Sequence, residues 1–246
     1  MLFRDSFLRT FSRKRGWTML RELLDIFRRG DLISQAVNDS YVMLQECHDM
    51  FTESVESLHL DLVNTDVKIN VYEKDKQINK YEREVRKKVF THLTVCDKAE
   101  ISGALVLVSI IIDIERIGDY TKNIMDLALN HPAKLNADEY QEELTKYEVM
   151  LEGNFGRLTD ALKTSNVEIA REIMEEHKIL SKWSDAVDIN IIQNKLPHLT
   201  PGDAASLALY VRYLKRIAGH MRNVASSVVN PFHRLGYKEK KEEQVE

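Results

Sequence analysis

Long segments with helical periodicity constrain this fold more than any other feature of the sequence. Apolar residues recur every three or four positions, which is the spacing of one face of an α-helix. In the first such segment, Val37, Tyr41, Leu44 and Leu58 follow one face. Only nine Gly and four Pro interrupt 246 residues, too few for strand-and-turn architectures. The pattern predicts an all-α protein with six helices, at about residues 33–62, 67–93, 97–130, 137–163, 167–196 and 204–231.

Charge and hydropathy exclude several functional classes. The 35 Lys and Arg nearly balance the 39 Asp and Glu, for a formal net charge of −4, whereas nucleic-acid-binding domains are usually strongly basic. The strongest apolar run, residues 104–112, is too short to cross a bilayer. The two cysteines, Cys47 and Cys96, lack CxxC spacing. We therefore expect no nucleic-acid partner, no disulfide framework, no thiolate zinc site and a reducing, cytoplasmic location, with Cys47 as a small buried residue.

Both ends of the chain differ in composition from the periodic segments. Residues 1–30 form a basic N-terminal extension, in which three phenylalanines spaced four residues apart would share one face of a helix. This extension is either an amphipathic surface anchor or a leader upstream of a start at Met19, and we favour the leader. Residues 232–246 form a charged tail with few apolar side chains to bury, so we expect disorder there.

The sequence contains an internal repeat. Residues 115–124 align with residues 215–224 at an offset of 100, with Arg, Ile and Asn identical at three positions. Residues 73–85 align with residues 175–187 at an offset of 102, with four identities. The six helices therefore form two copies of one three-helix unit, which predicts two tandem three-helix bundles. The predicted bundles cover residues 31–132 and 133–231.

The third helix carries acids where its spacing predicts a packing face. Four aliphatic residues are followed by three polar ones at the same spacing: Ile101, Leu105, Val108, Ile112, Glu115, Asp119 and Asn123. In the second helix, Asp75 and Asn79 stand among apolar positions. Gly118 lies inside the third helix at a cost of about 1 kcal/mol relative to Ala, which predicts a close approach of a neighbouring element.

Two carboxylates one helical turn apart repel each other, more strongly where water is scarce, so Glu115 and Asp119 require a compensating cation. If the second and third helices pack side by side, the oxygen-bearing side chains would converge on a hard or borderline divalent cation. The alternative is an ion-pair network in which Arg116, Lys122 or Lys76 neutralises the acids.

Two strings on these helices match the motifs of a known family. They are residues 114–124, IERIGDYTKNI, and residues 75–79, DKQIN, and they resemble the PhoU family of phosphate-uptake regulators. The resemblance implies tandem three-helix bundles whose E/D-x-x-x-D motifs bind multinuclear metal clusters. Glu115 and Asp119 match that motif fully, and Asp75 matches it with Asn79 as the second member. The ligands implied for divalent or trivalent ions, with Fe, Zn, Mn, Mg and Ni all acceptable, are Asp75, Asn79, Glu115, Asp119 and Asn123.

The second copy departs from this pattern. Lys215 and Gly219 stand where the motif has its two acids, and His177 stands opposite Asp75. A cationic side chain opposes a bound cation, so we expect metal in the first bundle only. The chain would then be a divergent member of the family.

These features favour a metal-binding regulator of phosphate uptake or phosphate signalling that acts through protein partners and is not an enzyme. By resemblance, the partners are a phosphate transporter of the ATP-binding-cassette type and a sensor histidine kinase. The sequence is compatible with a location near the membrane surface and with a homodimer, and it decides neither. The alternatives are a structural or adaptor helical bundle without metal and a carboxylate-metal hydrolase, although no general acid or base can be distinguished in the sequence.

Overall fold

Six long helices make up the fold, as the apolar periodicity predicts. The computed structural model describes residues 32–60, 70–96, 100–131 and 133–239, and no strand occurs in these ranges. The basic extension, Asp97 as the predicted start of the third helix, and the last seven residues lie outside them. None of the helices described combines the length and apolarity that a membrane-spanning segment requires. The helices are α1 Leu32–Leu58, α2 Val71–Leu93, α3 Ile101–Asn130, α4 Gln141–Thr164, α5 Val167–Ile192 and α6 Pro201–Val229.

Several helix ends are set by capping residues that the periodicity does not reveal. The Asn70 side chain caps α2, which therefore begins four residues later than predicted. At the start of α6, Thr200 and Asp203 form a reciprocal capping box. Pro201 occupies the first turn, where its missing N–H leaves no helical hydrogen bond unmade. The C-terminal end of α1 also differs from the prediction, because this helix ends at Leu58 rather than at residue 62.

The six helices form two bundles. The first contains α1, α2 and α3, and the second contains α4, α5 and α6; α3 packs against α6, and α1 against α4, to join them. Ile114 and Ile117 of α3 are fully buried, as are Leu214 and Ile217 at the equivalent positions of α6. One continuous apolar core therefore runs through both bundles.

The α3–α6 interface has approximate twofold symmetry. The rings of Tyr120 and His220, which are equivalent at the offset of 100, stack with centroids 5.7 Å apart. On one side of this pair His220 Nδ1 lies 2.7 Å from Asp113 Oδ1. On the other, the rings of Tyr120 and Tyr213 lie 6.1 Å apart, and Tyr213 is the repeat equivalent of Asp113. Equivalent residues thus meet at an axis between the helices, and His220 faces the first bundle.

The buried face of α3 differs in register from the predicted packing face. Ile101 and Ile112, expected inside, are 39% and 40% exposed. Because α3 packs against α1, α2 and α6, apolar residues cover more than one side, so spacing alone does not locate the face. Glu115 and Asp119 consequently lie half-buried at its edge. The buried residues of α3 are Gly103, Ala104, Val106, Leu107, Ile110, Ile111, Ile114, Ile117, Gly118, Thr121, Ile124, Met125 and Ala128.

Gly118 marks the close approach that its place in a helix predicts. A Cβ added there would lie 3.0 Å from Cδ1 of Ile78 on α2 and 3.5 Å from Sγ of Cys47 on α1. All three helices of the first bundle therefore meet at this point. Cys47 is buried as a small core residue, as expected, and its thiol donates to the carbonyl of Ile114.

Residues 232–239, which the composition assigns to a disordered tail, lie against the end of α6, and Phe232–Arg234 also contact α3 of the first bundle. The Asn230 side chain donates to the carbonyl of Tyr237 at 2.8 Å. The amide of Gly236 donates to the hydroxyl of Ser226 at 2.7 Å. Polar side chains at the C-terminal end of α6 thus form hydrogen bonds with backbone groups of this segment. Composition alone does not reveal these hydrogen bonds.

Candidate metal centre

Asp75 and Asp119, two of the five predicted ligands, meet at Lys122 between α2 and α3. The amino group of Lys122 lies 3.1 Å from Oδ2 of Asp75 and 3.6 Å from Oδ1 of Asp119. Glu115 lies one turn before Asp119 on the same edge of α3, with its side chain 15% exposed. Carboxylates from two helices thus flank one cationic group, as the predicted packing of these helices requires.

The two asparagines are placed differently. The Asn79 side chain donates to the carbonyl of Asp75 at 3.0 Å, so its amide is directed along its own helix. Asn123 is half-buried one turn beyond Asp119, and within the described residues no hydrogen bond joins it to the other four. Neither asparagine takes part in the arrangement around Lys122.

Glu82 is an acid of this region that the sequence interpretation missed. Its side chain is only 12% exposed and pairs with Arg86 at 2.7 Å. It follows Asp75 and Asn79 at the spacing i, i+4, i+7 on α2, so helical periodicity could have identified it. We call Asp75, Glu82, Glu115 and Asp119 together the acidic cluster.

Negative charge accumulates at Glu115. Burial raises the pKa of its carboxyl, Asp119 raises it further, and Glu82 and Asp75 add smaller contributions in the same direction. Arg116 opposes this shift, since its Nε lies 3.6 Å from Oε2 of Glu115. The pKa of Glu115 is therefore raised by burial first and by repulsion from the neighbouring acids second, and Arg116 offsets only part of the shift.

The acidic cluster suits a metal ion in its donor chemistry, because carboxylate oxygens are the ligands of hard and borderline divalent cations. The cations that contact it in this structure are the chain's own. Lys122 bridges Asp75 and Asp119, and Nη1 of Arg116 lies 3.0 Å from Oδ2 of Asp119. Lys76, the third cation considered, pairs with Glu73 instead. The contacts within the described residues are therefore those of the ion-pair alternative. No three side chains of the acidic cluster, all of which the structure describes, have donor oxygens within 4.8 Å of one another, so metal binding here stays a prediction that rests on donor chemistry.

The equivalent region of the second bundle contains different chemistry. Lys215 pairs with Asp185 on α5. A Cβ on Gly219 would lie 3.6 Å from Nε2 of His177, so the imidazole packs against the bare backbone there. Burial, together with Arg222 and Lys215, lowers the pKa of His177 to about 4, which leaves the ring neutral at pH 7. The second bundle thus has the cationic Lys215 in place of Glu115 and the neutral ring of His177 in place of Asp75.

These features define a class of protein: tandem three-helix bundles related by an internal twofold axis, with an acidic cluster on one of them. A family model described as the PhoU domain matches the chain twice, over residues 41–128 and 144–228. The chain belongs to the PhoU family.

Solved structures share this fold. PhoU from Pseudomonas aeruginosa superposes with a TM-score of 0.71 at 18% identity, covering 80% of this chain and 95% of that one. The phosphate transport system regulatory protein PhoU from Streptococcus pneumoniae gives 0.65 at 15% identity, covering 80% and 92%. An uncharacterized protein of Methanocaldococcus jannaschii is 30% identical over 113 residues, 44% of this chain. The match spans 39% of that relative's length.

Proposed function

We propose that this protein is a cytoplasmic, metal-binding regulator of phosphate uptake or phosphate signalling that acts by binding partners rather than by catalysis. Its two PhoU domains support the regulatory role, and a relative of the same fold is described as a phosphate transport system regulatory protein. One observation carries the metal component: an ammonium group lies between carboxylates contributed by α2 and α3.

A divalent ion would compete with Lys122 for this position. It would bring two charges where the ammonium group brings one, and it would relieve the excess negative charge at Glu115. Asp75, Glu115 and Asp119 would supply carboxylate oxygens, and Asn79 and Asn123 amide oxygens after side-chain rotation. We propose a mononuclear or multinuclear centre of Fe, Zn, Mn, Mg or Ni.

Displacement of cationic side chains links metal to partner binding in this proposal. Lys122 and Arg116 lose their carboxylate partners when a metal takes those oxygens. Both side chains would then be available to an acidic surface of a partner. Their positive charge would speed association with that partner, and this gain would decrease as the salt concentration rises. The partners we propose are a phosphate transporter of the ATP-binding-cassette type and a sensor histidine kinase.

Titration with Mn²⁺ tests the metal component, because this ion prefers oxygen ligands. We expect wild-type protein to bind Mn²⁺ and Glu115→Ala/Asp119→Ala to lose that binding, measured as free Mn²⁺ by electron paramagnetic resonance. Lys215→Ala is the matched control in the second bundle, and its stoichiometry should equal wild type. Binding that survives the double substitution would show that the acids are not the ligands.

An adaptor bundle without metal is the second candidate, and the ion pairs of Lys122 and Arg116 favour it. Here wild type would not bind Mn²⁺. Affinity capture of the tagged chain from its own cells, grown at limiting and replete phosphate, tests the partner component in either case. Recovery of transporter or kinase subunits supports it, and recovery of neither contradicts it.

A further inference from the structure

We infer that the turn between α2 and α3 holds a second kind of metal site, a thiolate-containing site of the zinc class formed by His92, Cys96 and Glu100. One donor atom from each of the three side chains lies within 4.8 Å of the other two. No other group of three or more His, Cys, Asp or Glu donors in the described part of the chain meets this distance.

The end of α2 and the start of α3 carry the three donors. His92 lies in the last turn of α2, and its carbonyl accepts from the amide of Cys96 at 2.9 Å. Glu100 directly precedes α3, and its carbonyl accepts from the amide of Ala104 at 3.1 Å. One donor residue thus ends α2, one lies in the turn and one begins α3.

The distances suit a tetrahedral ion. Nε2 of His92 and Oε2 of Glu100 are 3.0 Å apart, and a tetrahedral zinc ion with bonds of about 2.0–2.1 Å holds two such ligands roughly 3.3 Å apart. The His92 side chain is only 9% exposed, and Glu100 is 25% exposed. The imidazole is thus held largely by packing, while Cys96 and Glu100 are partly exposed.

The donor types select the metal. Imidazole and thiolate favour Zn²⁺ and chemically similar ions over Mg²⁺, Ca²⁺ and Mn²⁺, which prefer oxygen. Three protein ligands leave the fourth position of a tetrahedral ion to water or to a further ligand. The lack of a CxxC motif predicts no thiolate zinc site, yet the three donors lie at a spacing of four residues, at positions 92, 96 and 100.

This site is separate from the acidic cluster and is specific to the first bundle. Along α2, His92 lies about 25 Å from Asp75, at a rise of about 1.5 Å per residue. The corresponding turn between α5 and α6, residues 193–200, contains no cysteine and no acid. The inference therefore does not rest on the proposed regulatory function, and either can fail alone.

Cobalt substitution tests the site directly, because a thiolate bound to Co²⁺ produces an intense charge-transfer absorption that carboxylate ligands do not. We expect this absorption in untagged full-length wild type, with an intensity that saturates at one thiolate-bound Co²⁺ per chain whether or not the acidic cluster also binds the ion. Cys96→Ser should abolish the absorption. Cys47→Ala, which removes the other cysteine, should retain it, as should Glu115→Ala/Asp119→Ala. Absence from wild type, or persistence in Cys96→Ser, would overturn the inference.

The other two ligands need their own variants. Glu100→Gln and His92→Gln should each weaken Co²⁺ binding by at least about tenfold, since loss of an outer-shell partner alone costs about 10–100-fold. Unchanged affinity in both variants would mean that a thiol alone binds the ion, and the site would be rejected.

A measurement on wild type avoids any effect of substitution on folding. Zn²⁺ at one equivalent should slow alkylation of Cys96 by at least about tenfold, and a chelator should reverse this; Mg²⁺ should have no effect. Peptide mass spectrometry separates Cys96 from the buried Cys47. Equal alkylation rates with and without Zn²⁺ would overturn the inference.

Discussion

The two bundles have the same packing and different chemistry at one edge. Every residue from 111 to 124 has the same degree of burial, whether buried, half-buried or exposed, as the residue 100 positions later. Yet Glu115 and Asp119 of the first bundle correspond to Lys215 and Gly219 of the second. The fully buried positions therefore determine how these helices pack. The half-buried positions beside them tolerate either an acidic or a basic side chain.

Substitution of the equivalent-face glycines, Gly118 in the first bundle and Gly219 in the second, should change stability in opposite directions. Gly118→Val would overlap Ile78 and Cys47 and should lower the free energy of unfolding by about 2 kcal/mol. Gly219→Ala meets only an ordinary contact with His177, so it should raise that free energy by about 0.5–1 kcal/mol through helix propensity. Urea unfolding measures both. Equal responses would contradict the difference in packing at these sites.

Lysine substitution should sharpen the comparison at the acidic cluster. Lys122→Ala removes the ammonium group that competes with a metal, so the Kd for Mn²⁺ should fall by about tenfold, equivalent to about 1.4 kcal/mol. Lys76→Ala removes the same charge from α2 without touching Asp75 or Asp119, and its Kd should equal wild type. Isothermal titration measures both constants. If Lys122→Ala bound Mn²⁺ more weakly than wild type, competition would be ruled out.

The imidazole of the second bundle should change the pH dependence of stability. His177 titrates near 6.5 when unfolded and at about 4 when folded. Between these values the unfolded chain binds more protons, so His177 makes stability fall as pH drops from about 6.5 to about 4. His177→Gln should flatten this part of the profile of unfolding free energy against pH.

The control for this pH prediction is His198→Gln, which alters an exposed histidine of the α5–α6 turn. Its pH profile should match wild type between pH 6.5 and pH 4. A loss of slope in both variants would assign the effect to histidine content rather than to burial.

The sequence predicts the number of helices, the internal repeat and the convergence of Asp75 with Asp119, because each depends on periodicity that a single chain displays. It does not predict which cation contacts the acids. That depends on which side chains of α2 and α3 meet. Apolar periodicity shows which residues of one helix share a face, but it does not show how two helices are aligned along their axes. The face of α3 was misread for a related reason: three neighbouring helices make it apolar on several sides, so Ile112 matches the core pattern while it is exposed.

The twofold interface has a consequence for how the two halves can evolve. A contact in which Tyr120 meets His220 at an axis has the geometry of a homodimer of one bundle. In a homodimer both halves come from one gene, so a substitution of an acid alters both sites together. Once the halves are duplicated within one chain, Lys215 can replace an acid while Glu115 is kept. One half can then change its chemistry while the other keeps its acids.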